Sequence, residues 1–452
     1  MLSQFVKLMK TEGIEEDVIN TFSEYYKLLA KGEKGLLSNQ QIEPPKPENV
    51  INYETIRDHA RTDALKSIVV IKLNGGLGTS MGLSKAKSLL PVKGNMNFLD
   101  IIARQILTLR SLSGYDLSLL FMNSFNTDTD TLDYLQKYPD IGLKDLPLSF
   151  VQNKFPRIRR SDLKFFESGD RTKSWNPPGH GDLYTAITKD HLLDKLIDKG
   201  FRYAFVSNAD NLGATVDTAI PNYMEKNNIH FLMEVCDRTE TDKKGGHLCQ
   251  DERGQLMLRE IAQCPENELD EFQDINKFRY FNTNNLWIDL KALQWSLIAG
   301  DGIMLLPLIV NPKTIDGVQV IQLETAMGAA ISVFNNSKAL LVPRSRFAPV
   351  KKTVDLLSVW SDAYELNDQY QIVLKRGLST PPKVELDEKY YGSITQMMSK
   401  FAGVPSLSGC KELKIEGDVS FGDEVICEGR VHIKASVPVQ IKNRFLTGEI
   451  NY

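Results

Sequence analysis

A chain of 452 residues is too long for one ordinary hydrophobic core, so two or three domains are expected. With 42% apolar and 25% charged residues and a net charge of −4, the composition is that of a globular protein and excludes a general nucleic-acid or membrane-surface binder. The five cysteines (Cys236, Cys249, Cys264, Cys410, Cys427) form no CxxC pair and the six histidines no HExxH, which excludes zinc-ligand spacing and a disulfide framework.

The chain opens on "MLSQFVKLMKTEGIEEDVINTF", an amphipathic helix carrying acids, unlike a signal or transit peptide. With no long apolar run for a membrane span, a cytoplasmic protein is expected. Residues 1–66 form a helical preamble of two periodic segments, followed by the polar link "NQQIEPPKPENV".

From 67 to about 375, strand-like and helix-like segments alternate. "SIVVIKL", "LSLLFM", "LPLSFVQ", "FRYAFVSNAD", "HFLMEVC" and "RYFNTNNLWIDL" are strand candidates. "NFLDIIARQILTLRSLSG", "TDTLDYLQKY", "TAIPNYMEKN" and "LETAMGAAISVF" have helical character. That order predicts an α/β domain with a mainly parallel sheet, where ligands gather at the carboxyl ends of strands.

The tail, 376–452, changes character. Leu413, Val419, Val425, Val431 and Val437 recur every six residues, and Ile415, Phe421, Cys427, Ile433 and Val439 repeat the period two places later. Two registers sharing one period, with glycines between them, predict a short parallel β-helix. Two antiparallel hairpins would alternate by two without needing the period of six.

The chemistry gathers behind the first strand, in "LNGGLGTSMG". Glycine costs chain entropy and adds nothing to a core, so Gly75, Gly76, Gly78 and Gly82 serve either a tight turn or a close backbone approach to a phosphate. A Walker A loop is excluded because Leu83 follows Gly82, and a Rossmann fingerprint because position 81 is Met. Lys87 follows closely enough to bring a cation to whatever the loop holds.

"KLNGGLGTSMG" with "AKSLLPV" resembles the nucleotide-binding loop of eukaryotic-type UTP–glucose-1-phosphate uridylyltransferases, the UDP-glucose pyrophosphorylases. "FVQNKFPRI", "PPGHGDLY", "VSNADNLGA", "KGGHL", "FNTNNLWIDL" and "RSRFAPVKKT" are similar to that family's segments and come in its order, over roughly residues 50–452. The resemblance implies a GT-A/Rossmann-like nucleotidyltransferase sheet with helices on both faces and a C-terminal left-handed β-helix. It also implies attack of glucose 1-phosphate on the α-phosphorus of UTP, giving UDP-glucose and pyrophosphate. Such a reaction needs two anions held in line and their repulsion screened.

The same resemblance distributes the roles. Leu73, Asn74, Gly75, Gly76 and Gly179 would meet the nucleotide, largely by backbone, and Lys87 would neutralise triphosphate oxygens. Gln152 would pair with the uracil edge, since an amide both donates and accepts; alone it reads equally as a strand-end polar residue. Asn208 and Asp210 stand two apart after a strand, with Asp210 suited to Mg²⁺ and Asn208 to a sugar hydroxyl, unless the pair merely caps a turn. His180, Gly246, Glu260 and Asn284 would line the hexose pocket, His180 being equally readable as structural. Lys351, rather than its neighbour Lys352, would be the second phosphate-binding lysine.

Two features depart from the family pattern. Pro91 in "SLLPVK" is more reminiscent of other nucleotide-sugar pyrophosphorylases, and the short ending "NRFLTGEINY" leaves open a homo-oligomer built through the β-helix. The rival functions are a pyrophosphorylase for another or several UDP-sugars and a non-catalytic nucleotide-binding protein. The N-acetylhexosamine branch carries an arginine where this chain has Ser80, and retention of Lys87, Asp210 and Lys351 favours an enzyme.

Overall fold

Ile68–Asn74 is an unbroken apolar run over its first four residues, and it forms a strand buried on both faces, as a central parallel strand must be. In this computed structural model, which describes residues 1–378 and 380–452 and Ser80 by its backbone alone, that strand sits inside a large sheet. The order is Val50–Asn52, Ser337–Leu341, Phe231–Asp237, Tyr280–Asp289, Tyr203–Asn208, Ile68–Asn74, Ser118–Asn123 and Ser149–Val151. All neighbours run parallel except Tyr280–Asp289, which is antiparallel to both of its own. The hairpin of His247–Gln250 and Leu256–Arg259 joins it through His247 and Phe281.

Side chains alternate across the sheet with the period of two that strands impose. Val69, Ile71, Leu120 and Val206 face one core, which the helices Leu192–Asp198 and Leu290–Ala299 cover. Val70, Leu119, Phe121 and Phe205 face the other, covered by Phe98–Ser113. That helix starts in a reciprocal cap, in which Asp100 N–H donates to Asn97 Oδ1 (2.9 Å) and Asn97 N–H to Asp100 Oδ2 (3.0 Å). It stops at Gly114, whose φ of 73° closes the last turn.

The N-terminal helices Leu2–Thr11 and Glu16–Ala30 pack Phe5, Met9, Phe22 and Tyr26 onto Phe155, Ile158, Trp175 and Leu323. One expected helix is absent. "LETAMGAAISVF" begins inside the strand Val318–Thr325 and continues as a 3-10 helix, Met327–Ser332. The strand pairs along its whole length with Leu308–Ile315, and that long-range partner overrides the local pattern.

The tail is a parallel β-helix. Leu413 pairs with Val431 and Ile415 with Ile433, so one turn takes three of the six-residue units. Leu413, Val419, Val425 and Val431 are buried, as are Ile415, Phe421, Cys427 and Ile433. Val437 is not: it is 61% exposed. On the next edge Val419 pairs with Val439 and Phe421 with Ile441, so the repeat has slipped by two residues and left Val437 on the turn. The β-helix core is continuous with Met81, Leu90, Val92 and Leu356, which back the glycine loop.

Candidate active site

The loop after Ile68–Asn74 folds back on itself. Lys87 N–H donates to the Gly76 carbonyl (3.1 Å) and Leu83 N–H to the Gly78 carbonyl (3.0 Å), while Met81 is driven into the core. Its glycines divide by purpose. Gly78 is required by the loop itself, because a Cβ there would stand 2.4 Å from Leu83 Cδ1, and Gly82 takes a φ of 75°. Gly76 is exposed, and a Cβ there would meet nothing within 4 Å.

The open space is a cavity of about 320 Å³ at the carboxyl ends of the parallel strands. Leu73, Asn74, Gly75, Gly76, Lys87, Gln152, Gly179, His180, Asn208 and Asp210 all line it. Across the cavity Lys87 Nζ donates to Asp210 Oδ2 at 2.6 Å. The other carboxylate oxygen, Asp210 Oδ1, is buried without a partner, and so is the hydroxyl of Ser88, another wall residue that sequence reasoning passed over. Buried polar atoms are nearly always satisfied, so two orphans on one cavity mark where a polar ligand belongs.

The other wall residues are held in distinct ways. Gln152 Nε2 donates to the Gly179 carbonyl (2.6 Å), leaving one N–H and Oε1 for a ligand. His180 Nδ1 accepts from the Met327 N–H (2.9 Å), so Nε2 carries the proton, and burial pushes the ring's pKa down to about 4. The imidazole is therefore a neutral donor. Asn74 commits both N–H groups of its side-chain amide inward, donating to Asn123 Oδ1 (2.9 Å) and Thr131 Oγ1 (2.8 Å), and its carbonyl accepts from Thr127 Oγ1 (2.8 Å). Gly179, at φ 81°, sits where a Cβ would lie 2.4 Å from the Thr325 carbonyl oxygen.

Gly246, Glu260, Asn284 and Lys351 stand outside this wall. The glutamate carboxyl fills the space a Cβ on Gly246 would need, with Glu260 Cδ at 2.7 Å. Asn282 N–H donates to the Gly246 carbonyl (3.0 Å) and its amide to Asn284 Oδ1 (2.8 Å), which ties Asn284, at φ 57°, to the same group. Burial raises the Glu260 carboxyl's pKa and the Lys351 charge opposes it, so the lysine lies close to this group. It also lies close to Asp210, because the Asp210 carbonyl accepts from the preceding N–H, that of Val350, at 3.1 Å. Asp355, unforeseen from sequence, accepts the N–H groups of Lys351 and Lys352 at 2.7 Å each.

A buried polar frame holds the strand-end loop in place. Asn211 Oδ1 accepts from Ala348 N–H (2.9 Å), and the Arg346 carbonyl accepts from Asn211 and Asn285 at 3.2 Å each. Arg346 itself is paired with the fully buried Glu234 (2.6 Å). Among the described residues no cluster of three or more His, Cys, Asp or Glu could cage a metal alone. A lone carboxylate with a free oxygen fits Mg²⁺, which takes one or two protein carboxylates and completes its shell with phosphate and water. Asp210 Oδ1 is that oxygen.

The parallel sheet and the glycine loop facing a lysine–aspartate pair define a nucleotidyltransferase. Comparisons with known proteins narrow the class. The chain belongs to the UTP–glucose-1-phosphate uridylyltransferase family, whose model matches residues 19–428. It is 41% identical to the UTP–glucose-1-phosphate uridylyltransferase of Hordeum vulgare, over 91% of this chain and 87% of that one. It is 38% identical to UTP–glucose-1-phosphate uridylyltransferase 2 of Dictyostelium discoideum, over 95% and 85%. Its fold matches the UDP-glucose pyrophosphorylase of Leishmania major with a TM-score of 0.93 and 40% identity, over 100% of this chain and 99% of that one. A mutant of the Leishmania protein in complex with UDP-glucose gives a TM-score of 0.92, with 100% and 99% coverage.

Proposed function

We propose that the chain joins UTP and glucose 1-phosphate into UDP-glucose and releases pyrophosphate. What carries the proposal is the Lys87–Asp210 pair beside the unpartnered Asp210 Oδ1, at the mouth of a loop whose Gly76 faces open space. A sugar-phosphate oxygen attacks the α-phosphorus, forming the new P–O bond as the bond to the bridging oxygen breaks and pyrophosphate departs. The backbone at Gly75 and Gly76 cradles the triphosphate while Gln152 reads the uracil edge. Lys87 neutralises charge on the phosphate oxygens, where a fixed cation in a shielded cavity is worth more than in water. Asp210 would hold Mg²⁺, which supplies further screening of the phosphates when bound. Asn208, His180 Nε2–H and the Gly246, Glu260 and Asn284 group meet the hexose hydroxyls, and Lys351, next to the Val350 N–H bonded to the Asp210 carbonyl, binds the sugar phosphate.

Pyrophosphate release from UTP, ATP and dTTP against glucose, galactose, mannose and N-acetylglucosamine 1-phosphates tests this. Turnover should be greatest with UTP and glucose 1-phosphate in magnesium buffer. Equal or better turnover with another sugar phosphate would transfer the assignment to a broader UDP-sugar pyrophosphorylase. No release with any pair would leave a nucleotide-binding protein.

A further inference from the structure

Three consecutive residues, Gln152 to Lys154, are fastened from two sides: the first two by the turn Gly179–Asp182 and the third by the end of the first helix. Gln152 Nε2 donates to the Gly179 carbonyl (2.6 Å). Asn153 gives its N–H (2.6 Å) and its amide (3.0 Å) to the Asp182 carboxylate. Lys154 Nζ donates to Glu12 Oε2 (3.0 Å) and lies 4.7 Å above the Trp175 ring. Glu12 is the residue that ends the first helix of the chain, far along the sequence from the strands that build the site.

Packing does not support this segment on its outer side. A second cavity, of about 440 Å³, separates it from the turn between the two N-terminal helices. Val151 to Lys154 form one wall and Glu12 to Glu15 the other, and Gln152 belongs to the walls of both cavities. The walls are bridged by charge. Glu12 also pairs with Arg171, and Glu15 with Lys189 at 3.8 Å. The Glu12 side chain is only 13% exposed, and the hydrogen bond from Lys154, aided by the charges of Lys154 and Arg171, holds its carboxyl below the ordinary range. Gln152 is held directly by its N–H bond to the Asn123 carbonyl (2.8 Å) and by the Gly179 tie. The two residues after it are steadied by side-chain ties, that of Lys154 reaching across the void to Glu12.

We infer that Glu12 is a positioning residue for base recognition: through Lys154 it sets the segment that aims the Gln152 amide at the nucleotide base. This rests on the proposed role of Gln152. The N-terminal helix pair is thereby part of the specificity apparatus, although none of its atoms lines the nucleotide cavity. Arg171 provides an internal control, because it pairs with the same carboxylate but is 78% exposed and outside the Gln152 segment.

The test compares Glu12→Gln, Lys154→Met, Arg171→Ala and Gln152→Ala in turnover with UTP and CTP and in hydrogen exchange of residues 151–156. Glu12→Gln and Lys154→Met should raise KM for UTP roughly three- to tenfold, leave kcat within about twofold, and narrow the UTP-to-CTP preference as Gln152→Ala does. Both should speed exchange across 151–156, and Arg171→Ala should alter none of these. Wild-type KM and preference in Glu12→Gln and Lys154→Met, beside a changed preference in Gln152→Ala, would overturn the inference. An unchanged preference in Gln152→Ala would overturn the base-reading role instead. The tie is then judged by exchange alone, and unaltered protection of 151–156 in Glu12→Gln would refute it.

Discussion

Replacing Gly76 by alanine separates a loop that merely turns from one that grips. The backbone there is outside the left-handed region and an added Cβ has no neighbour within 4 Å, so the folded protein accommodates the methyl without strain. Stability should therefore hold, or rise by up to about 1 kcal/mol, because alanine restricts the unfolded chain more than glycine does. The nucleotide would not be indifferent. A methyl on a surface fitted to a phosphate chain acts as an overpacked contact, costing about 1–3 kcal/mol. That weakens UTP binding by roughly 5- to 150-fold. Titration calorimetry with UTP and thermal melting of the free protein give the two numbers independently. Gly179→Ala is the contrasting control, since its Cβ would fall 2.4 Å from the Thr325 carbonyl oxygen at a φ of 81°. That variant should lose stability before affinity can be judged. Wild-type UTP affinity in Gly76→Ala would refute the phosphate cradle.

Lys87→Ala should still bind UTP but turn over about two to three orders of magnitude more slowly, as expected when a preorganised stabiliser of transition-state charge is removed; near-normal pyrophosphate release would clear the lysine of that role. Asp210→Ala should abolish magnesium-dependent turnover with melting temperature kept within a few degrees, and full activity in magnesium buffer would remove Asp210 from the metal assignment. Two titrations oppose each other between about pH 4 and pH 6. Burial lifts the Asp182 pKa to about 6, so the native state holds that proton more tightly and its contribution to stability falls as pH rises through the window. His180, pushed down to about 4, binds its proton less tightly when folded and contributes stability that is lost as pH falls below its unfolded value. Asp182→Asn removes the falling part, worth on the order of 2–3 kcal/mol, so its denaturation midpoint relative to the parent should improve from pH 4.5 to pH 6.5. A constant difference across that range would contradict this.

Much of the site was legible because it lies in short contiguous segments after apolar strands. "SIVVIKL" announces a buried strand by composition, and parallel strands deliver their following residues to one edge, which is why Gly76, Gln152 and Asn208 converge on one cavity. The Lys87–Asp210 pair is different. No local pattern joins residues so far apart, and only the family resemblance suggested that both serve one centre. Asn74 shows the limit of a motif: it sits inside the glycine-loop signature, yet its side chain serves Asn123 and Thr131. The ties from Asp182 to Asn153 and from Glu12 to Lys154 left no trace in sequence, since single charged residues without periodicity read as solvated surface. Val437 misled because a repeat predicts inward positions only while its spacing holds, and two extra residues in a turn broke the spacing.

The shared core of the β-helix and the glycine loop carries a consequence for synthesis. Met81, Leu90 and Val92 leave the ribosome early, whereas Leu356, Leu413, Phe421 and Leu446, from the same cluster, emerge hundreds of residues later. At translation rates of about 5–20 residues per second, the loop waits tens of seconds for its floor. The strand before it can find neighbours long before the loop is seated. The nascent chain can therefore pair strands of its sheet before its glycine loop is seated, and a premature stop within the β-helix would release a protein whose glycine loop lacks part of the core that backs it.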